Sequence, residues 1–270
     1  MEPSGTTNVY ADTSRAVYAL VTDKQTELPQ IGVQVKFSVD VIAGTGGHDH
    51  HDALRPKGTL LDCRDNTTEV ESTVCITQLD GKATVTFKAP IVSGTHTITA
   101  ECVSPACTGP ASGDINVKVD GLESIPISPF YNMQLPNRDT NHPKTHFLMK
   151  APQKKLETIA ILYMLKTLYM RKQSAPPDIT LNDASLEWGG VLDCFLTCNS
   201  DQYPSTPWHK HHIEHRRGSV VDIKANGSTG SIAHEKDFRA AAKKIGIALG
   251  VPHGSGSGRH YHLRLNNRGE

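Results

Sequence analysis

Between residues 15 and 120 apolar side chains recur at every second position. The clearest stretch is "GVQVKFSVDVI", where Val33, Val35, Phe37, Val39 and Val41 alternate with Gln34, Lys36, Ser38 and Asp40, as a strand with one buried face requires. "KATVTFKA" follows an Asp80-Gly81 turn and sets Ala83, Val85 and Phe87 on one side. "HTITAEC" and "DINVKVD" continue the period, the latter through Ile115, Val117 and Val119. No helical period shows in this half. Several strands separated by turns within about 100 residues predict a β-sandwich of immunoglobulin type, with a small barrel as the alternative.

After residue 120 the pattern changes. Residues 121 to 145, "GLESIPISPFYNMQLPNRDTNHPKT", carry four prolines and no sustained period, and read as a linker lying against its neighbours. "PQKKLETIAILYMLKTLYMRK" has apolar residues at 156, 159, 160 and 163, and again at 162, 165, 168 and 169. That spacing predicts a helix with a wide buried face, opened by a proline and closed by basic residues. Residues 178–181, 186–192, "VVDIKA" and "HYHLRL" are expected as strands, and "EKDFRAAAKKIGIAL" as a second helix closed by Gly250 ahead of Pro252. The expected organisation is multidomain: an all-β domain over 1–120, a linker over 121–145 and an α+β domain over 146–270.

At 270 residues the chain is long enough to bury a core in each domain. Its 28 basic and 28 acidic residues balance, so the basic footprint of a nucleic-acid binder or a polybasic membrane anchor is absent. No stretch approaches the roughly 20 apolar residues that span a bilayer. The opening "MEPSGTTNVYADTSRAVY" is polar where a signal peptide would be apolar, as expected of a mature or a truncated chain. The six cysteines fall into close pairs, Cys63 with Cys75, Cys102 with Cys107 and Cys194 with Cys198. Disulfides in an oxidising compartment are the expectation; buried thiols or a zinc-thiolate site are the alternatives, although no pair has the two-residue gap of a zinc knuckle.

Fourteen histidines sharpen the search for chemistry. In "HHIEHRRGSVVDI" six residues separate His215 from Asp222. Alone that spacing is commonplace. In "RHYHLRL" the strand period turns His260 and His262 to one face. Two histidines and a carboxylate leave a fourth tetrahedral position for water, as in a catalytic zinc site, and His262 is the natural third ligand.

The combined motif looks like that of zinc peptidases of the lysostaphin, D-alanyl-D-alanine peptidase and hedgehog type, whose pattern is His, six residues, Asp, and later His-x-His. The surrounding "LNDASLEWGGVLD" and "PWHKHHIEHRRGSVVDI" are similar to penicillin-insensitive murein endopeptidases. The resemblance covers roughly residues 140 to 270. It implies one zinc ion held by His215, Asp222 and His262, His260 as the catalytic histidine, and peptidoglycan peptides as substrate. It also implies a periplasmic or secreted location. The chain lacks the Glu-x-x-His of D-Ala-D-Ala dipeptidases, which sets that branch aside. An inserted "CFLTCNSDQYPST" precedes the motif. The first half, in "DGKATVTFKAPIVSGTHTITAEC", resembles bacterial immunoglobulin-like modules. A non-catalytic zinc-containing module that binds cell wall or protein is the alternative reading, and other divalent ions suit the same ligands.

Arg216 and Arg217, beside the ligand loop, suit a substrate carboxylate, and His212 either lines the cleft or is solvated. His209 and His211 read as surface residues. "GGHDHHD" at 46–52 offers His48, His50 and His51, as a second metal site or, more simply, a polar loop between strands. For His142 and His146 packing or capping is the simpler role, and for Trp188 and Trp208 a place in core or rim. No activating histidine is identifiable near Cys194 and Cys198 in the sequence, which argues against a nucleophile there.

Overall fold

A computed structural model of the chain describes residues 1, 5–7, 13–48, 55–103, 107, 109–134, 144–171, 179–191, 214–225, 232–254 and 259–266. Those residues are largely β, with two α-helices among them, and divide into two compact units at Asp120 and Gly121.

The first unit contains strands β1 (Gly5–Thr7), β2 (Ser14–Leu20), β3 (Gln34–Val41), β4 (Thr59–Leu61), β5 (Glu69–Val70), β6 (Ser72–Ile76), β7 (Lys82–Lys88), β8 (Gly94–Cys102) and β9 (Ala111–Val117). One sheet has the order β1-β9-β8-β3-β6 and the other β2-β7-β4-β5. All pairings are antiparallel except β1 with β9. Strands β3 and β6 contact β4 and β7 across the sheets. The expected alternation holds in β3, where Val35, Phe37 and Val39 are buried, and in β7, where Ala83, Val85 and Phe87 are. His96 occupies an inward position of β8 beside Ile98 and Ala100, so this core contains an imidazole. A disulfide joins Cys63, just after β4, to Cys75 on β6 and so ties one sheet to the other; a second joins Cys102 to Cys107. Cys194 and Cys198 lie outside the described residues.

The second unit begins at Gly121: β10 (Leu122–Ser124) pairs with β12 (Phe147–Met149), and β11 (Asn132–Met133) with β13 (Thr180–Leu181). Within the described part of the span 121–145 read as a linker, Gly121–Gln134 and Lys144–Thr145, the chain forms the short paired strands β10 and β11. Strands of two or three residues have no period to read, and the prolines between them masked their pairing. The main sheet runs β11-β13-β14-β15, with β14 at Val220–Lys224 and β15 at His260–Arg264.

Helix α1 (Lys150–Arg171) buries Leu156, Ile159, Ala160 and Tyr163. Leu165, Leu168 and Tyr169 stay exposed, so the buried stripe is narrower than the apolar spacing suggests. Helix α2 is Glu235–Lys244 and closes at Gly246, not Gly250. Gly246 has φ of 79°, its N–H donates to Lys243 O, and the Ile247 N–H reaches back to Ala242 O, the paired bonds of a Schellman cap. Ile247 is buried by that turn, the hydrophobic contact such caps favour. Tyr163 and Phe238 meet edge to face with centroids 5.5 Å apart, joining the helices within one core with Val221, Ile223, Tyr261 and Leu263 of the sheet. The strand expected at 186–192 does not form over its described part, because Gly189 and Gly190 both take positive φ and turn the chain. No helix among the described residues is long and apolar enough to cross a membrane.

Candidate metal centre

Strand parity separates core from chemistry on β15. Tyr261, Leu263 and the following Leu265 are buried in the core, which leaves His260, His262 and Arg264 to the opposite face. The β14–β15 register places His262 directly across from Asp222. Asp222 is held from its other side as well: its N–H donates to Asp183 O at 2.6 Å and its carbonyl accepts from the Asn182 N–H at 2.8 Å.

His215 enters from a single 3-10 turn, His215–Arg217, ended by Gly218. Gly218 sits at φ 66°, where an added Cβ would lie 2.0 Å from Leu122 Cδ2, so both backbone and packing call for glycine. Its carbonyl accepts the Met149 N–H at 2.9 Å, which pins the turn to β12. His215 Nδ1 lies 3.2 Å from the Val220 carbonyl, and a carbonyl only accepts, so the proton sits on Nδ1 and Nε2 faces Asp222.

The ring nitrogens converge on one carboxylate. Asp222 Oδ1 is 3.2 Å from His215 Nε2 and 3.5 Å from His262 Nε2, and Oδ2 is 3.4 Å from His260 Nε2. Ligand atoms of His215, Asp222 and His262 all lie within 4.8 Å of one another. Asp222 is 1% exposed, yet neither of its oxygens accepts a hydrogen bond of good geometry among the described residues. A buried carboxylate without donors is costly unless a cation compensates it. The donor set of two imidazoles and one carboxylate therefore fits a divalent ion such as zinc.

The charges agree. Burial presses the Asp222 pKa upward most strongly, but the imidazoles of His215, His260 and His262 together hold it below the ordinary carboxylate value. Burial likewise opposes charge on His215, and the Asp222 charge outweighs it and raises that pKa. Burial lowers the pKa of His262. Asp183, beside this pair, is pushed up by burial and then by the Asp222 charge.

His260 stacks on His262 with centroids 5.1 Å apart, and their Nε2 atoms are 3.2 Å apart. Arg216 and Arg217 are half-buried on the turn, and Arg216 O accepts the Gly190 N–H at 3.1 Å. His146 is buried near Asp183. Trp188 is half-buried. His48 is fully buried in the first unit rather than solvated. His50, His51, His142, His209, His211, His212 and Trp208 lie outside the described residues.

Besides Asp183, three neighbours escaped the sequence reading. Glu214 Oε2 lies 3.3 Å from His262 Nδ1, and Arg264 Nη2 donates to Glu214 Oε1 at 2.7 Å. The hydrogen bond from Arg264 is the largest influence lowering the Glu214 pKa. The same alternation that groups His260 with His262 extends to Arg264, but nothing in the chain foretells Glu214 reaching across. Exposed His253 lies 4.7 Å from His262, centroid to centroid, and exchanges two backbone hydrogen bonds with His260.

No family model matches the chain, and no curated protein matches it. Among solved structures, a family 123 glycoside hydrolase from Clostridium perfringens, described for glycolipid glycan hydrolysis, aligns at 12% identity over 62% of this chain and 29% of that one, with a TM-score of 0.24. A likeness at that level carries no argument about chemistry.

Proposed function

We propose that the chain is a secreted or periplasmic zinc-dependent peptidase acting on amide bonds of peptidoglycan peptides, of the murein endopeptidase type. In this reading the second unit is the α+β peptidase domain and the first an immunoglobulin-like sandwich that positions it on a wall polymer or protein. The observation that carries the proposal is the convergence of His215, Asp222 and His262 around a buried carboxylate that accepts no hydrogen bond of good geometry among the described residues. The two disulfides suit an oxidising compartment.

Zinc bound by these three residues would polarise the scissile carbonyl and make a water acidic enough to attack near neutral pH. His215 and His262 present Nε2 toward that position, and Asp222 supplies the negative charge. His260 stands on the same strand face; it takes the proton from the attacking water and hands it to the leaving amine. Arg216 and Arg217, flanking His215 in sequence, are placed to bind a stem-peptide carboxylate through the guanidinium fork.

Elemental analysis of the purified protein is expected to show one zinc per chain, and none in His215→Ala. Incubation with isolated muropeptides, followed by mass spectrometry, is expected to show amide cleavage. His260→Ala should retain zinc and lose about 100- to 10,000-fold of the rate. A zinc-loaded protein that leaves muropeptides and peptide analogues intact overturns the peptidase reading in favour of a binding module.

A further inference from the structure

We infer that Glu214 is a positioning residue that fixes the His262 imidazole for metal binding, with Arg264 as its anchor. The inference rests on the metal reading above. A carboxylate only accepts, so the 3.3 Å contact from Glu214 Oε2 places the His262 proton on Nδ1 and leaves the Nε2 lone pair toward Asp222. A histidine ligand whose far nitrogen donates to a carboxylate is held in tautomer and orientation, and is a better electron donor to the ion.

The arrangement also closes a mechanical loop. Glu214 immediately precedes His215 on the turn, whereas His262 and Arg264 are on one face of β15. A single carboxylate therefore ties the segment carrying one ligand to the strand carrying another. The Arg264 contact at 2.7 Å leaves the two oxygens with separate tasks, Oε1 on the guanidinium and Oε2 on the imidazole. His215 needs no such partner, because the Val220 carbonyl orients it.

The test uses the full chain and three variants, Glu214→Ala, Glu214→Gln and Arg264→Ala. Zinc Kd is measured by competition with a chelating indicator, and the His262 tautomer of the metal-free protein is read from long-range 1H–15N spectra at pH 8. Wild type is expected to carry the proton on Nδ1. Glu214→Ala is expected to weaken zinc binding about 10- to 100-fold and mix the tautomers. Glu214→Gln, which can still accept the hydrogen bond, should fall between the two at an unchanged metal-free Tm; it carries the test if the alanine variant fails to fold. Arg264→Ala should show a smaller loss than Glu214→Ala. Zinc affinity within twofold of wild type in both Glu214 variants, or a wild-type His262 protonated on Nε2, overturns the inference while leaving the metal site standing. Wild-type protein that takes up no zinc overturns the metal reading itself.

Discussion

His96 shows how one side chain can set the pH response of a whole unit. Its ring is fully buried against Phe87, with centroids 5.5 Å apart. Nδ1 donates to the Gly94 carbonyl at 3.3 Å, as a neutral imidazole would. Burial, and then the nearby Arg55 guanidinium, lower its pKa to about 4. The unfolded chain protonates the same group near pH 6.5. Above that pH neither state holds the proton and the stability is fully present. As pH falls from 6.5 toward 4 the unfolded state gains the proton first, so stability is lost, by about 3 kcal/mol over the whole window. Denaturant titrations of the full chain, followed by amide exchange in β7 and β8, should show that fall. His96→Gln, which keeps a donor for Gly94 and does not titrate, should flatten it; an unchanged slope would assign the pH dependence to other groups.

At the scale of elements, the turn carrying His215 depends on Gly218. Gly218→Ala places a methyl group against Leu122 in left-handed backbone. The expected cost is about 2–4 kcal/mol from backbone strain and overpacking together, read as a lower Tm. Because the same turn orients His215, zinc affinity should fall with it. Strands β3, β7, β14 and β15 were legible because alternation or a continuous apolar run survives into the fold. The end of α2 was not, since two glycines compete and the choice depends on whether Ile247 can be buried. The second apolar row of α1 misled because an apolar residue on a helix need not face a partner. In the candidate site, the grouping of His260 with His262 follows from strand period alone. Glu214, Asp183 and His253 enter through cross-strand register and loop path, which no local spacing encodes.

For the molecule as a whole, the candidate chemistry and the covalent reinforcement fall in different units: the described disulfides are in the first, and the candidate metal ligands in the second. A ligand that binds only the folded form stabilises it by mass action, by about 2.7 kcal/mol at 100 times its Kd. Zinc at that excess should slow amide exchange across β14 and β15 and leave β3 and β7 unchanged, with EDTA reversing the effect. Protection rising equally in both units would contradict a site confined to the second. The facing of Asp222 and His262 across the ladder has one more result. Candidate-ligand and core-filling side chains are interleaved tooth by tooth along β15, so a single-residue insertion inside it would turn imidazoles into the interior and a tyrosine toward Asp222. Any engineering that shifts this centre along the strand must therefore proceed two residues at a time.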